Sequence, residues 1–298
     1  MENTRAKTTR NSLILLLTAT IWGMAFVSQS KGMDYMHPFT FNGVRSLIGA
    51  AGILVYILIS RKIAGDKAAK LDWKLNVRAG LLCGIFLTIA STLQQFGIKY
   101  TSVGKAGFIT TLYIIFVPMF GVFLKKKVAP VVWAAAGMAA VGMYLLCMTE
   151  SLRLGAGDIM VFLCAIAFAI QIMTVDHYAA RIDGAVVSCI QFTVCGVVCC
   201  IGALIWGQPT FGQIQEGLGA LLYAGVLSCG VGYTLQIVGQ KGLNPTVAAL
   251  IMSLESVIAT ISGWIAYKIG FLSTDQTLTP RQIAGLSLIH ISEPTRPY

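Results

Sequence analysis

Ten apolar runs, most about 20 residues long and parted by short polar breaks, constrain this chain more than any other feature. At about 1.5 Å of rise per residue, a helix of that length spans the roughly 30 Å of bilayer hydrocarbon. A helix also satisfies its own backbone hydrogen bonds, which hydrocarbon demands. Only 11% of the 298 residues are charged, against about 25% in soluble domains. A soluble globule is excluded, and little chain is left over for a soluble catalytic domain.

The formal charge of +10 would suit a nucleic-acid partner. The basic residues, however, sit in short clusters between apolar runs, as they do where they set membrane orientation. The expected partners are the lipid bilayer and a small-molecule substrate, with no nucleic acid. The eight cysteines (Cys83, Cys147, Cys164, Cys189, Cys195, Cys199, Cys200, Cys229) almost all lie inside apolar runs without ligand spacing. They read as small packing residues rather than metal ligands or disulfides. No phosphate-cradling Gly loop with lysine, no His/Cys cluster and no G-x-S-x-G motif is found, so no metal, cofactor or catalytic residue is expected. The first run has no small-residue cleavage site after it and reads as a retained helix.

One stretch occurs twice. Residues 93–123 and 235–265 align without a gap at an offset of 142, with eight of 31 positions identical. Among them are Gln94/Gln236, Gly97/Gly239, Leu112/Leu254 and Gly121/Gly263. Each copy is an apolar run, a polar break and a second apolar run, a helical hairpin. The repeat extends outward. At an offset of 146 Trp22 falls on Phe168 and Arg45 on Gln191, and at 148 Gly137 falls on Gly285.

The predicted helices are 12–30, 39–59, 79–98, 104–124 and 131–148, then 158–175, 185–206, 218–239, 245–267 and one starting near 281. The fold class is therefore an all-α integral membrane protein of ten transmembrane helices in two five-helix repeats, 12–148 and 155–289. An odd number of crossings per unit inverts the second copy. With the N-terminus inside, the inner segments hold 14 Lys/Arg and the outer loops six, which places both termini in the cytoplasm. Helix 10 reads as truncated: Gly285 to Ile289 start it, and Glu293-Pro294-Thr295-Arg296-Pro297 cannot continue it. Residues 287–297 also resemble the translation of a transposase sequencing adapter, so 287–298 reads as a non-native tail.

Trp22-Gly23, Phe41 to Arg45, the hairpin with Pro118, Gly155, Gln191, and Asn244-Pro245 leading to Leu254-Glu255 together resemble the EamA-type exporters of the drug/metabolite transporter superfamily. The resemblance covers residues from about 12 to 289 and implies export of small organic solutes. One departure is Ser256, where such exporters often carry proline; it argues for a less kinked helix 9.

Only Arg45 and Glu255 place a full charge well inside a predicted helix, and a buried charge in a bilayer marks a functional site by default. On helix 2, Pro38, Asn42, Arg45, Gly49, Gly52 and Tyr56 follow helical spacing and form a stripe expected to face protein. Arg45 then contacts substrate or a gate, or else snorkels to loop carbonyls. Glu255 lies in a small-residue stripe near the midplane. Desolvation favours the neutral form of a carboxyl, and one that loads and releases a proton suits H⁺-coupled antiport; the other reading is a structural interhelical hydrogen bond. Gln94, Gln171, Gln191 and Gln236 would add amides to a cavity, and Trp22, Tyr113 and Phe168 aromatic surface, though each Gln also fits interhelical bonding.

Such a cavity suits amino acids or similar neutral or zwitterionic solutes, exported across the bacterial inner membrane. A nucleotide-sugar or phosphorylated-sugar antiporter would want several cavity cations where one is found. A non-transporting scaffold or receptor has no need of the buried polar set, and a membrane-embedded enzyme lacks a paired acid and base. Five helices per half allow a monomer or a homodimer.

Overall fold

The computed structural model describes residues 2–65, 71–124 and 155–273, together with single helical positions between 130 and 144. Most of predicted helix 5, all of helix 10 and the 287–298 tail lie outside the described residues. Within them every regular element is helical, and eight helices are long and apolar enough to cross a membrane.

The elements are α1 (Glu2–Gly32), α2 (Pro38–Ala64), α3 (Trp73–Ile98), α4 (Val103–Thr111), α5 (Tyr113–Phe123), α6 (Ala156–Tyr178) and α7 (Gly184–Gly202). There follow α8 (Leu218–Leu222), α9 (Tyr233–Gln240), α10 (Pro245–Met252) and α11 (Glu255–Lys268). The starts carry local caps: His37 and Pro38 open α2, Asp72 caps α3, Ser102 caps α4 and Asn244 with Pro245 opens α10. α1 and α3 run past the apolar stretches of the sequence, because a helix continues into water where nothing stops it.

Three features depart from the sequence reading. The predicted helix 8 is not uniform: Tyr223–Gly232 between α8 and α9 is π-helical and carries Gly225, Gly230 and Gly232. The protein-facing stripe of α2 ends early, since Gly52 meets nothing and Tyr56 is 61% exposed. And predicted helix 9 breaks despite the absence of proline.

That break has a twin. α4 gives way to α5 at Leu112, and α10 to α11 at Ser253-Leu254, positions related by the offset of 142. In both, a hydroxyl turns back on its own helix: Thr111 Oγ1 donates to the Phe108 carbonyl at 2.9 Å and Ser253 Oγ to that of Leu250 at 2.7 Å. The backbone tightens to i→i+3 bonds, Leu112 N to Ile109 O at 3.2 Å and Leu254 N to Ile251 O at 3.4 Å. A hydroxyl competing for a helical carbonyl bends the helix without proline's help.

The helices pack as related pairs: α2 on α7, α4 on α11, α3 on α6 beside α1 on α9, and α1 on α11 beside α5 on α6. Gly97 and Gly239, identical in the two copies, explain two of these crossings. A Cβ on Gly97 would stand 2.8 Å from the Gly157 carbonyl oxygen, and one on Gly239 2.8 Å from Leu15 and 3.2 Å from the Asn11 carbonyl. Gly97→Val should cost about 3 kcal/mol, because backbone on α6 cannot yield to the added volume. The check is the monodisperse fraction in mild detergent after a heating series; wild-type behaviour would overturn the packing argument.

Candidate functional site

Between the packed pairs lies a narrow cavity. Its lining includes Trp22 and Gln29 of α1, Arg45 and Ser46 of α2, Ser91 and Gln94 of α3, Thr110 of α4 and Tyr113 of α5. Phe168 of α6, Phe192 of α7, Tyr233 and Gln236 of α9 and Glu255 of α11 add to its polar and aromatic wall, with Phe26 and Ser228.

The lining is internally related. At the offset of 146, Trp22, Phe26 and Ser46 answer to Phe168, Ile172 and Phe192. At 142, Leu87, Ser91, Gln94 and Tyr113 answer to Cys229, Tyr233, Gln236 and Glu255. Seven such pairs make 14 of the 18 lining residues. Duplication of one helical unit thus builds the walls twice over. The chemistry sits where the copies differ. Arg45 has Gln191 as its counterpart, and Glu255 has Tyr113.

Those last two meet directly. Each is the first residue after its helix break, and the Tyr113 hydroxyl donates to Glu255 Oε1 at 3.1 Å. Glu255 is 4% exposed. Its position in the first turn of α11 places the carboxylate at the positive end of a helix dipole, which partly offsets desolvation.

Arg45 is 5% exposed. Its guanidinium lies over the Phe41 ring at 5.4 Å, and among the described residues Nε has no hydrogen-bond partner and no carboxylate pairs with it. Two more polar atoms on the lining residues are also unpartnered, Trp22 Nε1 and Gln29 Oε1. Trp22 packs on Tyr233 at 4.5 Å between centroids, and Phe192 meets Tyr233 edge-on at 5.0 Å, giving one flank an aromatic surface. The cavity therefore offers a cation with no carboxylate partner among the described residues, a carboxyl, three amides and aromatic faces.

Trp22, Arg45, Gln94, Tyr113, Gln236 and Glu255 are all brought to this wall. Three other expected site residues are not. Asn42 donates to the Ser91 carbonyl at 2.9 Å and serves the α2–α3 contact. Gln171 pairs its amide with that of Gln236, at 3.4 and 3.2 Å, and holds it from behind. Gln191 is fully buried beside Gly84 of α3, and among the described residues both its amide atoms are unpartnered. Helical phase brings all three indoors, but towards neighbouring helices rather than the cavity.

Some residues were missed. Gln29, Ser46, Ser91, Thr110, Phe192 and Tyr233 line the cavity without a distinguishing sequence signal of their own. Asp158 is a third buried charge: its carboxylate accepts from Lys105 Nζ at 2.7 Å, Thr101 Oγ1 at 2.9 Å and the Gly155 N–H at 2.9 Å. Lys105 is thus held in an ion pair with Asp158. His37 accepts from Phe39 N through Nδ1 at 3.4 Å to cap α2. Burial, then nearby Lys99, holds its imidazole below the usual value, in the neutral form that can accept.

The sequence matches the EamA-like transporter family over residues 10–148 and again over 155–292. The chain belongs to that family. An uncharacterized transporter of Archaeoglobus fulgidus is 27% identical to it over 281 residues, 92% of this chain and 82% of the relative. The uncharacterized transporter YwfM of Bacillus subtilis is 25% identical over 283 residues, 93% and 90% of the two chains. A solved crystal structure 17% identical in sequence shares the fold, with a TM-score of 0.72 over 96% of this chain and 95% of its own. This EamA-family chain is a multi-pass membrane protein.

Proposed function

We propose that the protein is a secondary exporter of amino acids or similar neutral or zwitterionic metabolites, working by alternating access with a proton as counter-ion. The observation that carries this reading is one cavity that holds a buried cation and a buried carboxyl without pairing them to each other. A solute's carboxylate could answer Arg45, and Trp22, Phe192 and Tyr233 could take its apolar part, while the buried carboxyl is left to carry the proton. A polyanion would need more than Arg45.

The architecture proposed is ten helices as two inverted five-helix repeats, 12–148 and 155–289. It is supported by the self-related cavity wall, the twin helix breaks and the paired packing of α2 on α7 and α4 on α11. Rocking of one unit against the other about that axis would expose the cavity alternately. The excess of Lys/Arg on one side supports cytoplasmic termini in a bacterial inner membrane. One chain supplies the whole described wall, which supports a monomer as the transporting unit.

Inverted vesicles carrying the protein, given a mixed pool of amino acids and neutral metabolites, should accumulate pool members above empty vesicles when a pH gradient is present. Dissipating the gradient should remove the accumulation. Folded protein that accumulates nothing under either condition would overturn the reading.

A further inference from the structure

A second recess lies at the end of the bundle where α2 and α9 finish and α3 and α7 begin. Three chain segments bring a cation to it: Arg61 from the last turn of α2, Arg181 from the α6–α7 connection and Lys241 after α9. Lys241 Nζ donates to the Ile182 carbonyl at 3.2 Å, and neither Arg61 nor Arg181 forms an ion pair among the described residues. The two acids in the recess are already engaged at helix starts. Asp72 Oδ1 accepts from Leu75 N at 3.0 Å, and Asp183 Oδ1 from the N–H groups of Ala185 and Val186 at 3.0 and 3.1 Å.

The recess lies on the outer side of the bundle. On α9, Tyr233 and Gln236 turn to the central cavity, whereas Thr234 and Val238 turn to the recess. Its apolar wall includes Tyr56, which is 61% exposed and faces hydrocarbon in a membrane. Cations at helix ends above an apolar wall match the two parts of a phospholipid, an interfacial phosphate and an acyl chain. A water-soluble anion would have no use for that wall.

We propose that this recess binds an anionic phospholipid, its phosphate held among Arg61, Arg181 and Lys241 and an acyl chain laid along Tyr56 and Val238. The lipid then bridges α2 to the end of α9 and braces the bundle from outside.

The test is native mass spectrometry and thermal unfolding of the full chain in detergent, with phosphatidylglycerol, phosphatidylcholine or glycerol phosphate added. Phosphatidylglycerol should be retained and should raise the unfolding temperature, while the other two should do neither. Each lost cation should weaken retention about fivefold, so the triple variant R61Q/R181Q/K241Q should lose roughly 100-fold. Arg181→Gln alone, in an exposed connection, gives the single-step reading should the triple variant fold poorly. The control K31Q/K268Q, at the other end of the bundle, should retain the lipid fully. Equal protection by phosphatidylcholine overturns the proposal. So does protection by glycerol phosphate alone, or unchanged retention in both variants of the recess.

Discussion

Vesicles carrying Glu255→Gln are expected to lose gradient-driven accumulation while still exchanging substrate down its own gradient. Glutamine keeps the size of the side chain and a carbonyl oxygen that can accept from the Tyr113 hydroxyl, now 3.1 Å from Oε1. The contact between the two half-helix starts therefore survives, and α11 stays where it is. What glutamine cannot do is carry a proton. With one proton exchanged per cycle, a gradient of one pH unit sustains about tenfold accumulation, since each unit is worth about 1.4 kcal/mol. The variant should fall to equal concentrations on the two sides at any gradient, with exchange within about threefold of wild type. Unaltered accumulation and pH dependence would end the coupling role of Glu255 and leave it a structural hydrogen bond. Loss of exchange as well would show that the carboxylate contacts substrate instead.

The eight spans of the described chain were legible because hydrocarbon demands about 20 apolar residues in a row, a signal too long to be mistaken. The helix breaks were less so. Proline at 256 was the feature sought, whereas the bend comes from Ser253 and its counterpart Thr111 bonding their own helices. A serine or threonine in a transmembrane helix more often does this harmlessly, so single positions carry little information. Only their recurrence at the offset of 142 marks them. The π-helical stretch 223–232 has no counterpart in α3, a continuous helix, and so lay beyond the reach of the repeat.

For the cavity, a polar residue on an apolar helix announces burial but not against what. Arg45, Gln94 and Gln236 meet the cavity, whereas Asn42, Gln171 and Gln191 meet other helices. Nothing in spacing separates the two sets, because the crossing angles that decide between them are set by glycines on partner helices, such as Gly84 beside Gln191. The repeat does better. It relates Leu87 to Cys229 and Ser91 to Tyr233, pairs with no chemical likeness that nonetheless occupy equivalent places on one wall.

Arg45→Met should move stability and binding in opposite directions. The guanidinium is buried, its Nε is unpartnered, and no carboxylate pairs with it among the described residues. An arginine in the middle of a membrane helix costs about 2.5–3.5 kcal/mol on insertion scales. The Phe41 ring at 5.4 Å returns part of that, on the order of 1–2 kcal/mol. Methionine fills much of the same volume without the charge, so the substrate-free variant should gain about 1–2 kcal/mol, read as a higher unfolding temperature in detergent. Substrate binding should lose a charge-assisted hydrogen bond of about 1.5–3 kcal/mol, or roughly 10- to 150-fold in affinity. An arginine kept for architecture predicts the reverse: a less stable protein, with affinity falling only as folded protein is lost. A destabilised variant whose folded fraction binds normally would thus remove Arg45 from the site. A stabilised variant that no longer binds would mean that the chain maintains an unpaired buried cation for the sake of a substrate's negative charge.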